Sequence, residues 1–168
     1  MTEPASVRAW LSLGSNISPV ENIAAAIADL EAQFGQLVVS PIYESAAVGF
    51  TGDNFHNLVV GIDTSLTPHA LARELRAIEE RHGRLRGVDK FSSRTLDIDL
   101  LTYSDQIIDD GVIEVPRSEI LRYAFVLLPL SEVAGEERHP QTGQTYRSLW
   151  QAFDGSSQPL WRKEDVSK

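Results

Sequence analysis

Gly83-Arg84-Leu85-Arg86-Gly87-Val88-Asp89-Lys90-Phe91-Ser92-Ser93-Arg94-Thr95-Leu96-Asp97-Ile98-Asp99-Leu100-Leu101-Thr102-Tyr103 changes character halfway along. Up to Arg94 it is a basic loop, in which Arg84, Arg86, Lys90 and Arg94 outnumber the single acid Asp89. From Leu96 it alternates as a strand does, with Leu96, Ile98 and Leu100 on one side and Asp97 and Asp99 on the other. Two carboxylates two residues apart on a strand have Cα atoms roughly 7 Å apart and point the same way. Without a counter-charge they repel, and one takes up a proton. A divalent cation removes the conflict. Mg²⁺ suits such a pair, because it is usually held by one or two carboxylates together with substrate phosphates and water. Guanidinium groups in the adjoining loop suit the phosphate oxygens. The stretch therefore reads as a metal and polyphosphate site. The same Asp-x-Asp pattern is also what the wet side of an edge strand looks like.

The rest of the chain sets the context. Its 168 residues suit one domain with a sizeable core, and 42% hydrophobic with 23% charged residues is an ordinary globular balance. There is no cysteine, so disulfides and thiolate metal sites are excluded. A net charge of -9 argues against broad binding of nucleic acid or anionic membranes. The N-terminus lacks a signal-peptide layout and no apolar run spans a bilayer, which makes the cytosol the expected compartment.

Upstream, Val7 to Leu13 reads as a strand ended by the turn Gly14-Ser15-Asn16. Such a turn before a helix can bind phosphate or simply connect. Ser18, Pro19 and Glu21 predict a capped helix start, and Ile23, Ala26, Ile27, Leu30 and Phe34 give its apolar stripe up to Gly35. Gln36 to Glu44 reads as a strand at an edge or with a bulge, because Pro41 stands inside it. Phe55 to Ile62 is a further strand: Phe55, Asn57, Val59 and Gly61 share one side, His56, Leu58, Val60 and Ile62 the other. Phe55 and Asn57 could stack on and hydrogen-bond a flat heterocycle, or simply pack at a strand end. His56 reads as a core or rim histidine. Thr67 and Pro68 open a second helix with Leu71, Leu75 and Ile78 inward, its charged residues on a solvated surface, and Gly83 at its end.

Downstream, Asp109-Asp110-Gly111 predicts a hairpin between Gln106–Ile108 and Val112–Val115, and Ser118 reads as the cap of a short helical turn. Ala124 to Val133 predicts a helix with Pro129 near its start, and Thr145 to Phe153 a last short helix. Residues 1–153 form the expected domain, and 154–168 read as a polar, frayed tail apart from Trp161. The order strand–helix–strand–strand–helix–strand, followed by a hairpin and helices, predicts an α+β fold with a mainly antiparallel sheet and the split βαβ topology of the ferredoxin-like class.

Several segments taken together carry a resemblance. They are Leu11-Ser12-Leu13-Gly14-Ser15-Asn16, Phe55-His56-Asn57, Gly83-Arg84-Leu85-Arg86, Arg94-Thr95-Leu96-Asp97-Ile98-Asp99-Leu100, Val115-Pro116 and Phe125-Val126-Leu127-Leu128-Pro129-Leu130. In this order and spacing, over about residues 7 to 150, the chain resembles the 6-hydroxymethyl-7,8-dihydropterin pyrophosphokinase family of folate biosynthesis. The resemblance implies a ferredoxin-like βαββαβ core, two Mg²⁺ ions, and transfer of diphosphate from ATP to a pterin hydroxymethyl group, leaving AMP. It implies that Asp97 and Asp99 hold the metals, with Arg84 and Arg94 joining them in catalysis by gripping the triphosphate. Glu79, Arg86, Phe91 and Ile98 fall at ATP-side positions together with Arg117 and Arg122, and the loop 84–95 matches a family lid. Phe55 and Phe125 match the pair that sandwiches the pterin, Asn57 matches the amide that reads its edge, and Ser45, Val48 and Asp97 are also on the pterin side.

Departures from the family pattern are concentrated on the ATP side. Arg117 and Ser118 stand where the family usually has His and then Pro or Tyr. Tyr123 stands where the family has arginine, Gly87 at an often basic position, and Ala46-Ala47 in place of Pro-Pro. Arg117 and Arg122 are the candidate replacement cations. The resemblance implies small-molecule substrates and a monomer, with neither nucleic acid nor membrane as partner. A paralogue that binds pterin or nucleotide without turnover, or with altered specificity, is the rival. An RNA-binding module rests on topology alone, and the charge speaks against it.

Overall fold

The computed structural model describes residues 5–46, 53–82 and 96–163. Strand β1 is Val7–Ser15, helix α1 Pro19–Phe34, β2 Val38–Val39, β3 Tyr43–Ser45, β4 Phe55–Thr64, α2 Pro68–Arg81 and β5 Asp97–Tyr103. They are followed by β6 Ile108–Asp109, β7 Glu114–Val115, a 3-10 turn at Ser118–Leu121, α3 Ala124–Val133, α4 Tyr146–Ala152 and β8 Trp161–Arg162. The main sheet runs β5-β1-β4-β3-β8, with β2 also on β4, while β6 and β7 form a separate hairpin. Its strand pairings are all antiparallel. This is the expected α+β, ferredoxin-like arrangement, with the C-terminal hairpin and helices added.

The alternation read from the sequence sorts the core into two layers. Leu13, Leu58, Val60, Ile62, Ile98 and Leu100 pack under α1 and α2 with Ile23, Leu30, Leu71, Leu75 and Ile78. On the other face Trp10, Val59 and Leu101 pack with Val126, Leu127 and Leu130 of α3 and with Tyr146 of α4. Gly61 lets this second layer close. A Cβ there would lie 2.5 Å from the Trp10 ring, so only hydrogen fits beneath the indole.

Several local expectations change in the folded chain. β1 runs on through Gly14 to Ser15 instead of turning at Gly14, because the Gly14 and Ser15 backbone pairs with Asn57 and His56. Ser18 stands at the N-cap of α1 as expected, its carbonyl accepting the Asn22 N–H at 3.0 Å, but it sits at φ 41 and its side chain makes no cap bond. The stretch Gln36–Glu44 breaks into β2 and β3 around Pro41, which has no N–H to give a ladder. Ser40 bridges the break, its N–H donating to Val59 O at 2.9 Å and its Oγ accepting from Val59 N–H at 2.8 Å. Thr67 caps α2 as expected, accepting from Ala70 N–H at 3.2 Å. Ser118 lies inside its 3-10 turn, not at the cap, which Arg117 occupies. Pro129 sits in mid-helix, where it has no N–H to offer the Phe125 carbonyl one turn back. Beyond Phe153 the tail is not frayed as far as Lys163: it turns, and Trp161–Arg162 pairs with Tyr43–Glu44 as the outer strand of the sheet.

Candidate active site

Sheet register assembles the site. Asp97 on β5 is opposite Gly14 on β1, Gly14 is opposite Asn57 on β4, and Asn57 is opposite Tyr43 on β3. One row further along, Asp99 is opposite Ser12 and Ser12 opposite Val59. These side chains share the α3 face, because they keep step with Trp10, Val59 and Leu101 of its apolar layer. One end of that face is therefore core and the other end is polar.

β5 is an edge strand, which leaves N–H groups without ladder partners on its outer side. Glu79, buried at the end of α2, accepts the Ile98 N–H at 2.7 Å. That bond anchors the strand at the residue between the two aspartates. Glu79 is thus not part of the solvated helix surface predicted for α2. On the outer side of β5, Arg117 N–H donates to Leu101 O at 2.8 Å. The Arg117 guanidinium binds Glu119 at 2.8 Å and lies 3.7 Å from Asp99. Burial draws this guanidinium down, but the charges of Asp99 and Glu119 outweigh it and hold it above its ordinary value.

The pterin-side candidates converge on Asn57. Its Nδ2 donates to Ser45 Oγ at 2.8 Å and approaches Tyr43 O and Phe55 O at 3.4 Å each. With its NH₂ turned to these acceptors, the amide is fixed in orientation. Gly14 leaves space beside it: a Cβ there would lie 3.4 Å from Asn57 Oδ1 and 3.8 Å from the Phe55 ring. Phe125 enters from the first turn of α3, stacked on Tyr123 at 5.0 Å between centroids and 19° between planes. Arg122 lies over the Tyr123 ring at 5.8 Å, which places this cation beside the aromatic pair. Tyr43 OH donates to Glu132 Oε1 at 2.6 Å and ties β3 to α3; burial, then this bond, push the phenol up to about 12.

The structure thus brings together Asp97, Asp99, Ile98, Glu79 and Arg117 at one strand edge, and Ser45, Phe55, Asn57 and Phe125 on the same side of the sheet. Arg84, Arg86, Phe91 and Arg94, with the lid reading of 84–95, lie outside the described residues, as does Val48. The Gly14-Ser15-Asn16 segment uses its polar groups internally. Ser15 Oγ donates to Ile17 O at 3.1 Å and Asn16 Nδ2 to Asp53 O at 3.1 Å.

His56 is on the opposite face, as the alternation predicts, in a cavity of about 480 Å³ lined by Asn16, Ser18, Pro19, Glu44, Asp53, Asn54 and His56. Burial holds His56 below its ordinary value, and the other ionisable groups of that lining are carboxylates, so the cavity does not suit a polyphosphate. Two contributors escaped the sequence reading. The space at Gly14 becomes visible only once its register with Asn57 is known, and the Tyr43–Glu132 bond links residues 89 positions apart.

Residues 10–135 match the family model described as 7,8-dihydro-6-hydroxymethylpterin-pyrophosphokinase (HPPK). The chain belongs to this family. It is 36% identical over 149 residues to the 2-amino-4-hydroxy-6-hydroxymethyldihydropteridine pyrophosphokinase of Synechocystis sp., covering 87% of this chain and 76% of that one. With the protein of the same name from Methylorubrum extorquens it shares 40% over 131 residues, 76% of this chain and 82% of that one. Among solved structures, a Plasmodium falciparum HPPK-DHPS with pterin and p-hydroxybenzoate superposes with a TM-score of 0.73 at 15% identity. The overlap is 90% of this chain and 44% of that chain, and at this identity it speaks to the fold alone. The family match spans β1 through α3 and ends before α4 and β8.

Proposed function

We propose that this pyrophosphokinase transfers diphosphate from MgATP to the hydroxymethyl group of 6-hydroxymethyl-7,8-dihydropterin. The pterin hydroxyl oxygen attacks the β-phosphorus of ATP. The bond from that phosphorus to the oxygen bridging the α-phosphate breaks, AMP departs, and the hydroxyl proton goes to solvent. The observation that carries the reading is the row Asp97–Gly14–Asn57–Tyr43, which sets a carboxylate, an open position and an oriented amide side by side.

The donor set fits magnesium. Asp97 and Asp99 are half-buried carboxylates on one side of an edge strand, oxygen donors of the kind this ion takes alongside phosphate and water. Bound by Asp97 and Asp99 as a pair of ions, magnesium would neutralise the phosphates and the entering and leaving oxygens. The protein's own part is positioning, which dominates phosphoryl chemistry. Glu79 fixes the strand between the aspartates. Arg117, and Arg122 beside the aromatic pair, supply positive charge on the ATP side along with Arg84, Arg86 and Arg94. Phe55 and Phe125 hold the ring, and Asn57, set by Ser45, reads its polar edge. The same reading takes the enzyme as a cytosolic monomer working on small molecules. No helix among the described residues is long and apolar enough to cross a membrane.

The test is to incubate the purified chain with MgATP and 6-hydroxymethyl-7,8-dihydropterin and to resolve the nucleotides. Pterin-dependent AMP is the expected product. ADP, or pterin binding without any product, would overturn the proposal.

A further inference from the structure

The helix that brings in Phe125 has a weak first turn. Its N-cap residue, Tyr123, makes no side-chain capping bond, and Pro129 cannot close the turn onto the Phe125 carbonyl. A residue far along the chain supplies what is missing. Gln158 Oε1 accepts the Ala124 N–H at 2.9 Å, and Gln158 Nε2 donates to Arg122 O at 3.0 Å. One amide thus clamps the backbone on both sides of Tyr123, whose ring stacks on Phe125.

A few residues later the same segment grips the opposite wall. Trp161 pairs with Glu44 and Arg162 with Tyr43, and the Lys163 N–H donates to Ile42 O at 2.8 Å. Lys163 Nζ binds Glu44 Oε1 at 3.1 Å, and Asn54, then Lys163, hold the Glu44 carboxyl below its usual range. Glu44 immediately precedes Ser45, the partner of Asn57. The turn that starts the segment is itself closed, Gln158 N–H donating to Gly155 O at 2.9 Å.

We infer that residues 154–163 are a strap that sets the spacing between Phe125 and the Ser45–Asn57 wall, with Gln158 as a positioning residue for pterin binding. The strap lies beyond residues 10–135, the part that matches the family model. A flat ring held between two walls needs their separation fixed, and a misplacement of about 1 Å can cost on the order of a hundredfold. The inference rests on the pterin reading of Phe125, Ser45 and Asn57.

The experiment compares Gln158→Leu, Lys163→Met and Phe125→Ala, each in the full chain, by steady-state kinetics with 6-hydroxymethyl-7,8-dihydropterin and ATP and by thermal melting. Gln158→Leu removes two hydrogen bonds and is expected to raise the pterin KM about five- to tenfold while moving the ATP KM less than about twofold. Lys163→Met is expected to act in the same direction by about two- to threefold, and it carries the test if Gln158→Leu fails to fold. A pterin KM unchanged in both strap variants while Phe125→Ala raises it would overturn the strap and leave the pterin site standing. Equal rises in both KM values, or a lowered melting temperature with the pterin KM unchanged, would reduce Gln158 to a structural residue. A pterin KM indifferent to Phe125→Ala would overturn the pterin reading itself, and the strap's purpose with it.

Discussion

Two neighbouring rows cross the sheet one residue apart. Ile98, Leu13 and Leu58 form the first, on the α1 and α2 side, each 4% exposed or less. Asp97, Gly14 and Asn57 form the second, on the α3 side. The strands, the register and the ends of the sheet are the same. Side-chain alternation alone separates a closed apolar layer from the site. The α1 and α2 face uses the length of its strands for packing. The α3 face packs only where Trp10, Val59 and Leu101 stand and leaves its other end to polar groups. Stability and chemistry are thus divided by side and by end, and substitutions in the two rows should fail in different ways.

The largest effect is expected in the polar row. Asp97→Ala and Asp99→Ala should each lower turnover roughly a thousandfold or more, the loss of several kcal/mol of charge stabilisation. Melting temperatures should stay close to that of the parent chain. Near-normal turnover in either variant would remove the metal assignment. Leu58→Ala, one residue from Asn57 and fully buried, should show the reverse. Chemical denaturation should register a loss of about 2–5 kcal/mol, while kcat/KM measured well below the melting range should change little.

Two glycines on the α3 face sharpen the comparison. At Gly61 a new Cβ meets the Trp10 ring at 2.5 Å. Gly61→Ala should therefore cost about 1–3 kcal/mol through overpacking, with pterin KM unaffected. At Gly14 the new Cβ has an ordinary contact with Asn57 Oδ1 at 3.4 Å. Gly14→Ala should melt near the parent temperature and raise the pterin KM by about two- to tenfold, since the methyl group fills the space beside an oriented amide. If both variants lost only stability, the polar end of this face would be structural like its other end.

The smallest effect concerns pH. His139 is buried beneath Tyr146 at the core end of the α3 face, and its Nδ1 accepts the Gln141 and Thr142 N–H groups at 3.1 and 3.3 Å. Burial holds its imidazole below the ordinary value of 6.5. The unfolded chain therefore takes up this proton at a higher pH than the folded one. The His139 contribution is complete above about 6.5 and declines as pH falls from there through the folded value. An NMR titration should find His139 below 6.5, and His139→Gln should flatten that part of the stability profile.

Much of this was readable before folding. Asp97 and Asp99 could be assigned to one side, and Leu96, Ile98 and Leu100 to the other, because a strand repeats every two residues whatever surrounds it. Thr67 with Pro68, and Asp110 with Gly111, announced a helix start and a hairpin through local chemistry. Ser118 and Pro129 misled because backbone competition at those points was decided elsewhere: Arg117 is drawn onto Leu101, and α3 is long enough to hold a proline inside.

By itself, then, the sequence determined the alternating strands, the paired carboxylates, the family to which the chain belongs and the antiparallel α+β class. These follow from short-range periodicity and from motifs contiguous in the chain. Only the tertiary structure decided that Gly14 opens space beside Asn57, that Glu79 leaves the solvated face of α2 to hold Ile98, and that Gln158 and Lys163 tie a polar tail to the start of α3 and to Glu44 of β3. Each of these depends on strand register and on which polar groups meet when distant segments come together, and no local pattern encodes that.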